Sequence, residues 1–434
     1  NTFANELEAN GLPKFYDAFT HNQLDFFQFY PTLSQNAAEK TYLSQFNPPS
    51  LYRAIKGDST EVHKNVVLIS IESLSADFLQ HYGNTNKITP FLDSLATKSL
   101  MFTNLYATGN RTVRGLEALT LCVPPTAGES IVKRKDNKNK FTTGSVFKSK
   151  GYDVKYLYGG YSYFDNMKDF FGGNGYDIVD RDSFKPEEIS FANVWGVCDE
   201  DMVKKAISVM NEEAKSGKPF FNHWMTVSNH RPFTYPEGKI DISATSKSRD
   251  GGVKYTDYAI KRFFEMAKKQ DWYKNTVFVI VADHCASSAG KTELPMEKYR
   301  IPGMVFSEGF VKPEQFNSIM SQIDVMPTVF GLLNFNYNSK FLGQDVKKDT
   351  YSPRAYIATY QDLGYIKDEK LTVISPTKKV RQYDLALQES SLVAPFKLKY
   401  TETLVSNPNK KLVDETVATY QSVSYWLSKN KLNR

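Results

Sequence analysis

Two long apolar runs, NVVLISIE and TVFVIVAD, constrain the fold of this chain more than any other feature. The first spans Asn65 to Glu72, and the second spans Thr276 to Asp283. Both are rich in β-branched residues without polar alternation, which is typical of strands buried on both faces of a parallel sheet. Because such sheets carry helices on both faces, the sequence predicts an α/β fold.

Helical and strand patterns alternate between these runs. Helices are predicted over residues 89–99, 114–121, 199–214 and 255–269, and shorter strands over residues 154–158 and 220–227. This alternation predicts a sandwich in which helices flank a mostly parallel sheet.

The patterns predict three parts. Residues 1–60 are expected to form a helical arm ending near Pro48, because apolar residues recur there at nearly helical spacing, namely Leu7, Leu12, Phe15 and Phe19. Residues 61–340 form the main α/β domain. Residues 341–434 form a small α+β subdomain, with β-type segments at residues 354–360, 371–375 and 380–384 before a terminal helix.

Charge and composition narrow the class of protein. The 54 Lys and Arg against 48 Asp and Glu give a net charge of +6 without a basic tail, so nothing points to nucleic acid. The three cysteines, Cys122, Cys198 and Cys285, allow at most one disulfide. Aromatic residues reach 14 %, which favours a cleft lined by aromatic side chains or a membrane-facing surface.

No apolar run is long enough to span a membrane. Because the chain begins at Asn1, it is expected to be processed or excised, with any membrane anchor before it.

Both long runs lead into residue types that bind metals. Glu72 ends the first run, and Asp283 and His284 end the second. Because ligands gather outside the carboxyl ends of strands in open α/β sheets, these residues are expected to face one crevice. Carboxylates with one imidazole suit Mn²⁺ or Zn²⁺ better than Ca²⁺. Spacing alone leaves a structural alternative open, in which these residues are a capping acid and turn residues.

The segment ATGNRTVRGLEAL predicts a turn that delivers Thr112 to the start of a helix, beside Arg111 and Arg114. Backbone N–H groups at a helix N-terminus stabilise a phosphoryl oxygen. A divalent metal there would make the Thr112 hydroxyl available as a nucleophile. Considered alone, a threonine before a helix is most often only an N-cap.

An ordered series of motifs makes the sequence recognisable: IESLSADF, ITPFLDSLA, TGNRTVRG, VSNHRPF, VADH, DVMPTVFGLL and FLGQD. The series, from about Asn65 to Asp345, resembles the sulfatase-like branch of the alkaline phosphatase superfamily and, within it, lipoteichoic acid synthase and related periplasmic phosphoglycerol transferases. The resemblance implies an enzyme with an alkaline-phosphatase-like sandwich, anchored by a membrane segment before Asn1. It also implies that the catalytic domain lies outside the cytoplasm, on the periplasmic or extracellular face.

The resemblance assigns roles residue by residue. Glu72, Thr112, Asp283 and His284 match the family's ligands to one divalent metal, for which Mn²⁺ is favoured over Zn²⁺ or Mg²⁺. Thr112 also matches its nucleophile. His230, in SNHRPF, matches its second active-site histidine, which would bind a phosphoryl oxygen or protonate the leaving alcohol.

The headgroup-binding segment departs from the family. Where the family has an aromatic-Asn-Arg segment, this chain offers Phe164 and Asn166. Because the family's arginine is absent there, Arg111 or Arg114 is expected to bind phosphate instead. Trp195 falls in the same family region, and the acids at residues 199–201 after it are interpreted as the exposed start of a helix.

Other polar residues are interpreted as structural. Asp324 is predicted to cap a helix, His223 to lie in the core, and Cys285 to be a packed thiol. True sulfatases need Cys or Ser in C/S-x-P-x-R, whereas this chain reads TVRG at Thr112, so sulfate ester hydrolysis is disfavoured.

The resemblance predicts transfer of glycerol phosphate from a phospholipid headgroup to a glycan or lipid acceptor through a phosphothreonine. A phosphoethanolamine transferase, or a phosphodiester or sulfate ester hydrolase, is the retained alternative. A non-catalytic protein that senses lipid or glycan is a third hypothesis, which the presence of all four ligand types disfavours.

Overall fold

The structure is a computed structural model that describes residues 24–286, 294–387 and 400–434. Its helices are α1 (Phe26–Phe29), α2 (Gln35–Leu43), α3 (Pro90–Ala96), α4 (Thr112–Leu121), α5 (Thr143–Ser149), α6 (Met167–Gly173), α7 (Asp199–Lys215), α8 (Arg249–Ala267), α9 (Val325–Leu332) and α10 (Lys410–Ser428). Its strands are β1 (Arg53–Ile55), β2 (Asn65–Ile71), β3 (Leu100–Tyr106), β4 (Asp153–Tyr158), β5 (Asp177–Val179), β6 (Ala192–Asn193), β7 (Gly196–Val197), β8 (Phe220–Met225), β9 (Thr276–Ala282), β10 (Arg300–Phe306), β11 (Glu314–Phe316), β12 (Met320–Ser321), β13 (Tyr337–Ser339), β14 (Ala355–Ala358), β15 (Leu363–Lys367), β16 (Lys370–Ser375), β17 (Lys379–Leu387) and β18 (Tyr400–Leu404).

One sheet forms the centre of the molecule. In the described residues it has nine strands, ordered β11-β3-β10-β9-β2-β8-β4-β5, with β12 also paired to β3. Every pairing is parallel except the two made by β10. This arrangement confirms the predicted α/β sandwich with a mostly parallel sheet. Strands β3 and β10 were not predicted.

Strand register positions the functional residues. The two predicted apolar runs, β2 and β9, are buried along their whole length and pair Ile71 with Ala282. Glu72 and Asp283 therefore leave the sheet side by side. Strand β8 pairs Met225 with Ser70 of β2, so the connection after β8 begins at the same edge. The expectation that these strand ends face one crevice is confirmed.

Helix α8 begins at Arg249, earlier than the predicted start at Tyr255. The Ser248 hydroxyl caps it by accepting a hydrogen bond from the Gly251 N–H at 3.1 Å. Two consecutive glycines, Gly251 and Gly252, hide the helical pattern because glycine disfavours helices. Tertiary packing thus extends the helix beyond its local propensity.

The C-terminal strands β14 to β18 form the predicted antiparallel sheet. Helix α10 packs against it, and the Tyr420 hydroxyl donates to the Gly364 carbonyl at 2.5 Å. Asp324 occupies the predicted N-cap position of α9, but its side chain makes no capping bond to that helix, so the capping part of the prediction is wrong. Instead it accepts hydrogen bonds from Arg354 at 2.5 and 2.8 Å, and both side chains are fully buried.

The N-terminal segment contacts the rest of the fold. The predicted helical pattern of residues 7–19 lies outside the described residues. Helix α2 ends at Leu43, and β1 pairs with β13, so a strand lies within the predicted helical arm. Tyr42 of α2 packs on Trp426 of α10, with ring centroids 5.8 Å apart. The division at residues 60 and 340 stays a prediction.

No helix in the described part of the chain combines the length and apolarity needed to cross a bilayer.

Candidate active site

Three potential metal ligands meet where β2 and β9 end. Glu72, Asp283 and His284 are buried, and one ligand atom of each lies within 4.8 Å of the others. Nε2 of His284 lies 3.4 Å from Oδ2 of Asp283 and 3.7 Å from Oε1 of Glu72. The structure thus brings together three of the four predicted ligands.

The surrounding hydrogen bonds leave suitable ligand atoms available. A carbonyl only accepts, so Nδ1 of His284 must donate to the Cys285 carbonyl, 2.7 Å away, and Nε2 keeps its lone pair in the neutral ring. Oδ1 of Asp283 accepts from the N–H groups of Ser73 and His284. Its Oδ2 is buried and has no hydrogen-bond partner within the described chain.

An unpaired buried carboxylate oxygen is costly unless a cation binds it. Burial, together with the charge of Glu72, raises the pKa of Asp283. A bound cation would reverse this effect, because it favours the ionised carboxylate. The residues therefore fit one divalent metal, and their oxygen and nitrogen donors suit Mn²⁺ or Zn²⁺.

Thr112 lies beside this cluster. It is the first residue of α4, and its hydroxyl donates to Oε2 of Glu72 at 3.0 Å. The N-cap position belongs to Arg111, so the Thr112 side chain is not the helix cap. Helix α4 approaches closely because it presents Gly115, where a Cβ would lie only 2.4 Å from the Asp283 carbonyl oxygen.

A pocket of about 290 Å³ opens at Thr112. Four of its lining residues were predicted to bind substrate, namely Arg111, Phe164, Trp195 and His230. The ring centroids of Trp195 and His230 lie 3.6 Å apart, and Phe164 packs edge-on against Trp195 at 5.4 Å. Nδ1 of His230 donates to the Arg231 carbonyl at 3.2 Å, so Nε2 is the proton acceptor of the neutral ring.

Two predicted substrate-binding residues do not line this pocket. The guanidinium of Arg114 is buried in an ion pair with Glu117 at 3.1 Å and also donates to the Thr126 and Gly128 carbonyls. This corrects the expectation that Arg114 binds phosphate, because its donors are already engaged inside the protein. Asn166 donates from Nδ2 to the Val132 carbonyl at 3.3 Å, which gives it a role in loop structure.

Two pocket arginines, Arg231 and Arg249, were not among the predicted site residues. Nη1 of Arg249 is buried and lacks a hydrogen-bond partner in the described residues, and the guanidinium lies 4.6 Å from the Phe233 ring centroid. Burial and the charge of Arg231 lower the pKa of Arg249. With Arg111, three guanidinium groups line one pocket, which attracts an anion. Arg231 adjoins His230 in its motif, whereas no sequence signal marks Arg249.

Asp199 positions the connection that carries His230. The helix start predicted there is confirmed, but its exposure is wrong, since the Asp199 side chain is fully buried. The carboxylate accepts from the Val227 N–H at 2.8 Å and from the Ser228 N–H at 3.2 Å. It also accepts from the Thr256 hydroxyl at 3.0 Å, so it joins α8 to this connection.

The remaining structural interpretations agree with the structure. His223 is fully buried with Nε2 2.7 Å from the Ser70 hydroxyl, and burial lowers its pKa to about 3, so it is a neutral core residue. Cys285 is buried and its thiol donates to the Arg300 carbonyl at 2.9 Å. All three cysteines are free in the described chain.

Comparisons with known proteins bear on the identity of this site. The family model described as Sulfatase matches residues 64–335. Lipoteichoic acid synthase 2 of Bacillus subtilis is 25 % identical over 309 residues, which cover 65 % of this chain and 47 % of that relative. The chain therefore spans about half the length of that curated relative.

Two solved structures share the fold. A protein in the alkaline phosphatase superfamily from Vibrio parahaemolyticus is 31 % identical with a TM-score of 0.86, over 94 % of this chain and 100 % of that one. The lipoteichoic acid synthase LtaP from Listeria monocytogenes has a TM-score of 0.69 at 19 % identity, over 92 % and 99 % of the two chains. The family model covers more than half of this chain, and the Vibrio protein is matched along its whole length. The chain therefore belongs to the sulfatase family of the alkaline phosphatase superfamily, as its motifs predicted, and is an enzyme of a class that uses a divalent metal.

Proposed function

We propose that the protein is a phosphotransferase that moves glycerol phosphate from a phospholipid, such as phosphatidylglycerol, to a glycan or lipid acceptor. The observation that carries the proposal is the 3.0 Å hydrogen bond from the Thr112 hydroxyl to Glu72, beside a cluster fit for one divalent metal. A hydroxyl nucleophile next to a metal site suits double displacement at phosphorus. The names of the lipoteichoic acid synthase relatives support the substrate class.

Glu72, Asp283 and His284 would hold the metal, with Thr112 as the fourth ligand, and Mn²⁺ is the proposed ion. When bound, it would supply positive charge that favours the ionised hydroxyl and the charge developing on the phosphoryl oxygens.

The chain's own residues account for the two transfers. In the first, Oγ1 of Thr112 forms a bond to phosphorus while the bond from phosphorus to the diacylglycerol oxygen breaks. The Thr112 proton moves along its hydrogen bond to Glu72, and the leaving oxygen takes a proton from Nε2 of protonated His230. In the second, neutral His230 accepts the proton of the acceptor hydroxyl as that oxygen bonds to phosphorus. The bond from phosphorus to Oγ1 of Thr112 breaks as the acceptor bond forms, and Oγ1 takes back the proton held by Glu72.

The charges that line the pocket favour glycerol phosphate over phosphoethanolamine. Arg111, Arg231 and Arg249 suit a phosphate with an uncharged glycerol, whereas the ammonium of ethanolamine would face like charges. The pocket carboxylate of Asp165 is 3.2 Å from the Lys133 ammonium, so its charge is already paired.

The cellular location is part of the same proposal. A lipid donor requires a membrane surface, and we place the enzyme at the cell membrane with its catalytic domain outside the cytoplasm.

Mass spectrometry tests the nucleophile and the headgroup together. The wild-type protein is incubated with phosphatidylglycerol and Mn²⁺, and the peptide containing Thr112 is analysed. We expect a glycerol phosphate adduct on Thr112 that is absent from Thr112→Ala and present in Thr112→Ser, which keeps the hydroxyl. An adduct from phosphatidylethanolamine instead would reassign the headgroup.

The metal proposal has its own measurement. Titration calorimetry should detect one Mn²⁺ per wild-type chain and weak or no binding to Asp283→Asn. Bound Mn²⁺ without an adduct from any phospholipid would favour a hydrolase or a non-catalytic binding protein.

A further inference from the structure

Large apolar side chains gather at the rim of the active-site pocket. Eight such side chains are exposed in the described part of the chain, and four of them lie on two adjoining segments, namely Tyr161, Tyr163, Phe164 and Val194. Tyr163 is 71 % exposed and Val194 is 81 % exposed. Single exposed apolar residues are common, but a group beside a pocket indicates an interaction surface. We call these four residues the aromatic rim.

The fold imposes this exposure. Ser162, between the two tyrosines, is fully buried, and both its hydroxyl and its N–H donate to the Asp180 carboxylate. Because Ser162 is held inward, Tyr161 and Tyr163 face outward, where their rings stack at 5.5 Å. Val194 lies at the tip of the β6–β7 hairpin.

The aromatic rim adjoins the pocket directly. Phe164 belongs to both the rim and the pocket wall, and its ring packs against Trp195, the residue after Val194. A ligand bound at Thr112 therefore lies next to the rim.

Two arginines adjoin the aromatic rim. The Arg181 guanidinium lies 5.8 Å from the Tyr161 ring centroid. Arg231 is exposed, and its carbonyl accepts a hydrogen bond from the Trp195 indole. Over the described ranges, neither arginine has a carboxylate within ion-pair distance. Aromatic rings mixed with unpaired cations match the interfacial region of an anionic bilayer.

We propose that the aromatic rim, with Arg181 and Arg231, docks the enzyme on the surface of an anionic phospholipid bilayer. The proposal deepens the proposed function and rests on it for the choice of a lipid substrate. The rings would enter the headgroup layer while the arginines contact phosphates. A headgroup could then reach Thr112 while its acyl chains stay in the bilayer.

Vesicle sedimentation tests the proposal with the chain of 434 residues. The rim variant is Tyr163→Ser combined with Val194→Ser, neither of which lines the pocket. The control variant combines Tyr52→Ser with Leu404→Ser, at residues that are 55 % and 62 % exposed elsewhere. On vesicles of equal parts phosphatidylglycerol and phosphatidylcholine, we expect the rim variant to bind about tenfold more weakly than wild type. The control variant should bind like wild type.

A second measurement compares turnover of two substrates. The rim variant should process water-soluble, short-chain phosphatidylglycerol like wild type but should lose activity on vesicles. Vesicle sedimentation measures binding and does not depend on turnover. If the Thr112 adduct were absent, the proposed function would be contradicted, but the sedimentation experiment would still test the docking proposal. Equal vesicle binding by the rim and control variants would overturn the docking proposal. If the rim variant instead lost a concentration-dependent dimer, the surface would belong to a second copy of the chain.

Discussion

Gly115 is the point at which α4 touches the candidate metal cluster, and Gly115→Ala tests that contact. The added Cβ would lie 2.4 Å from the Asp283 carbonyl oxygen and 2.7 Å from its Cα. Ordinary contact begins at 3.4 Å, so the two segments must separate by about 3.4 − 2.4 = 1.0 Å. Asp283 follows a strand that is buried along its whole length, so α4 is expected to move.

That movement acts on both activity and stability. A 1.0 Å shift would lengthen the 3.0 Å hydrogen bond from Thr112 to Glu72 to as much as 3.0 + 1.0 = 4.0 Å, which breaks it. Misplacing a reacting group by about 1 Å can cost about a hundredfold in rate. Overpacking of this kind also costs about 1–3 kcal/mol of the free energy of unfolding.

We therefore expect Gly115→Ala to lower phosphatidylglycerol turnover about a hundredfold, with a modest loss in urea unfolding. Gly172→Ala is the matched control, because a Cβ at this α6 glycine meets no atom within 4 Å. The control should keep full activity and should be stabilised by up to about 1 kcal/mol, since alanine favours helices. Wild-type turnover by Gly115→Ala would refute the close-contact argument.

Three further predictions concern buried carboxylates. Arg354→Met leaves the charge of Asp324 buried and unpaired, so it should lower the free energy of unfolding by about 3–5 kcal/mol. Urea titrations measure this loss, and a loss under about 1 kcal/mol would contradict the prediction. Asp199→Asn turns an N–H toward the N–H groups of Val227 or Ser228, which weakens the connection that carries His230. Turnover should fall about tenfold or more, while the Mn²⁺ affinity measured by calorimetry should stay unchanged. A matching loss of Mn²⁺ affinity would argue against a role for Asp199 in positioning His230. Burial raises the pKa of Asp257 to about 7 from 3.8, so the folded chain binds this proton more tightly than the unfolded chain. The resulting stability, at most about 4 kcal/mol, is complete below about pH 4 and is lost as pH rises through 7. Thermal melts from pH 4 to 8 should show a flatter decline for Asp257→Asn, and equal slopes would count against the shift.

The candidate metal cluster could be predicted because its signals are local. The buried runs before Glu72 and Asp283 indicate parallel strands, and parallel strands bring their carboxyl ends to one edge. The motif resemblance then pointed to Thr112 and His230, which lie on connections at this edge.

Other contacts depend on packing between distant segments. Asp324 and Arg354 meet through the fold, and nothing near Asp324 in the sequence indicates its partner. Asp199 has the pattern of an exposed helix start, yet the connection after β8 packs over it. Arg114 lies two residues after Thr112 and was expected to bind phosphate, but Glu117 one turn later pairs with it inside the protein. Local pattern predicts the element in each case, whereas tertiary packing decides the partner.

The strand register has a consequence for how this enzyme could diversify. Glu72 and Asp283 follow paired strands at the centre of the sheet, so a change there would disturb the whole core. Phe164 and Trp195 instead lie in the connection between β4 and α6 and at the β6–β7 hairpin. Those two segments are separate from the central strands, so their sequences can change without disturbing the strands that carry Glu72 and Asp283. A new substrate preference would then arise at these two segments while Glu72 and Asp283 keep their places.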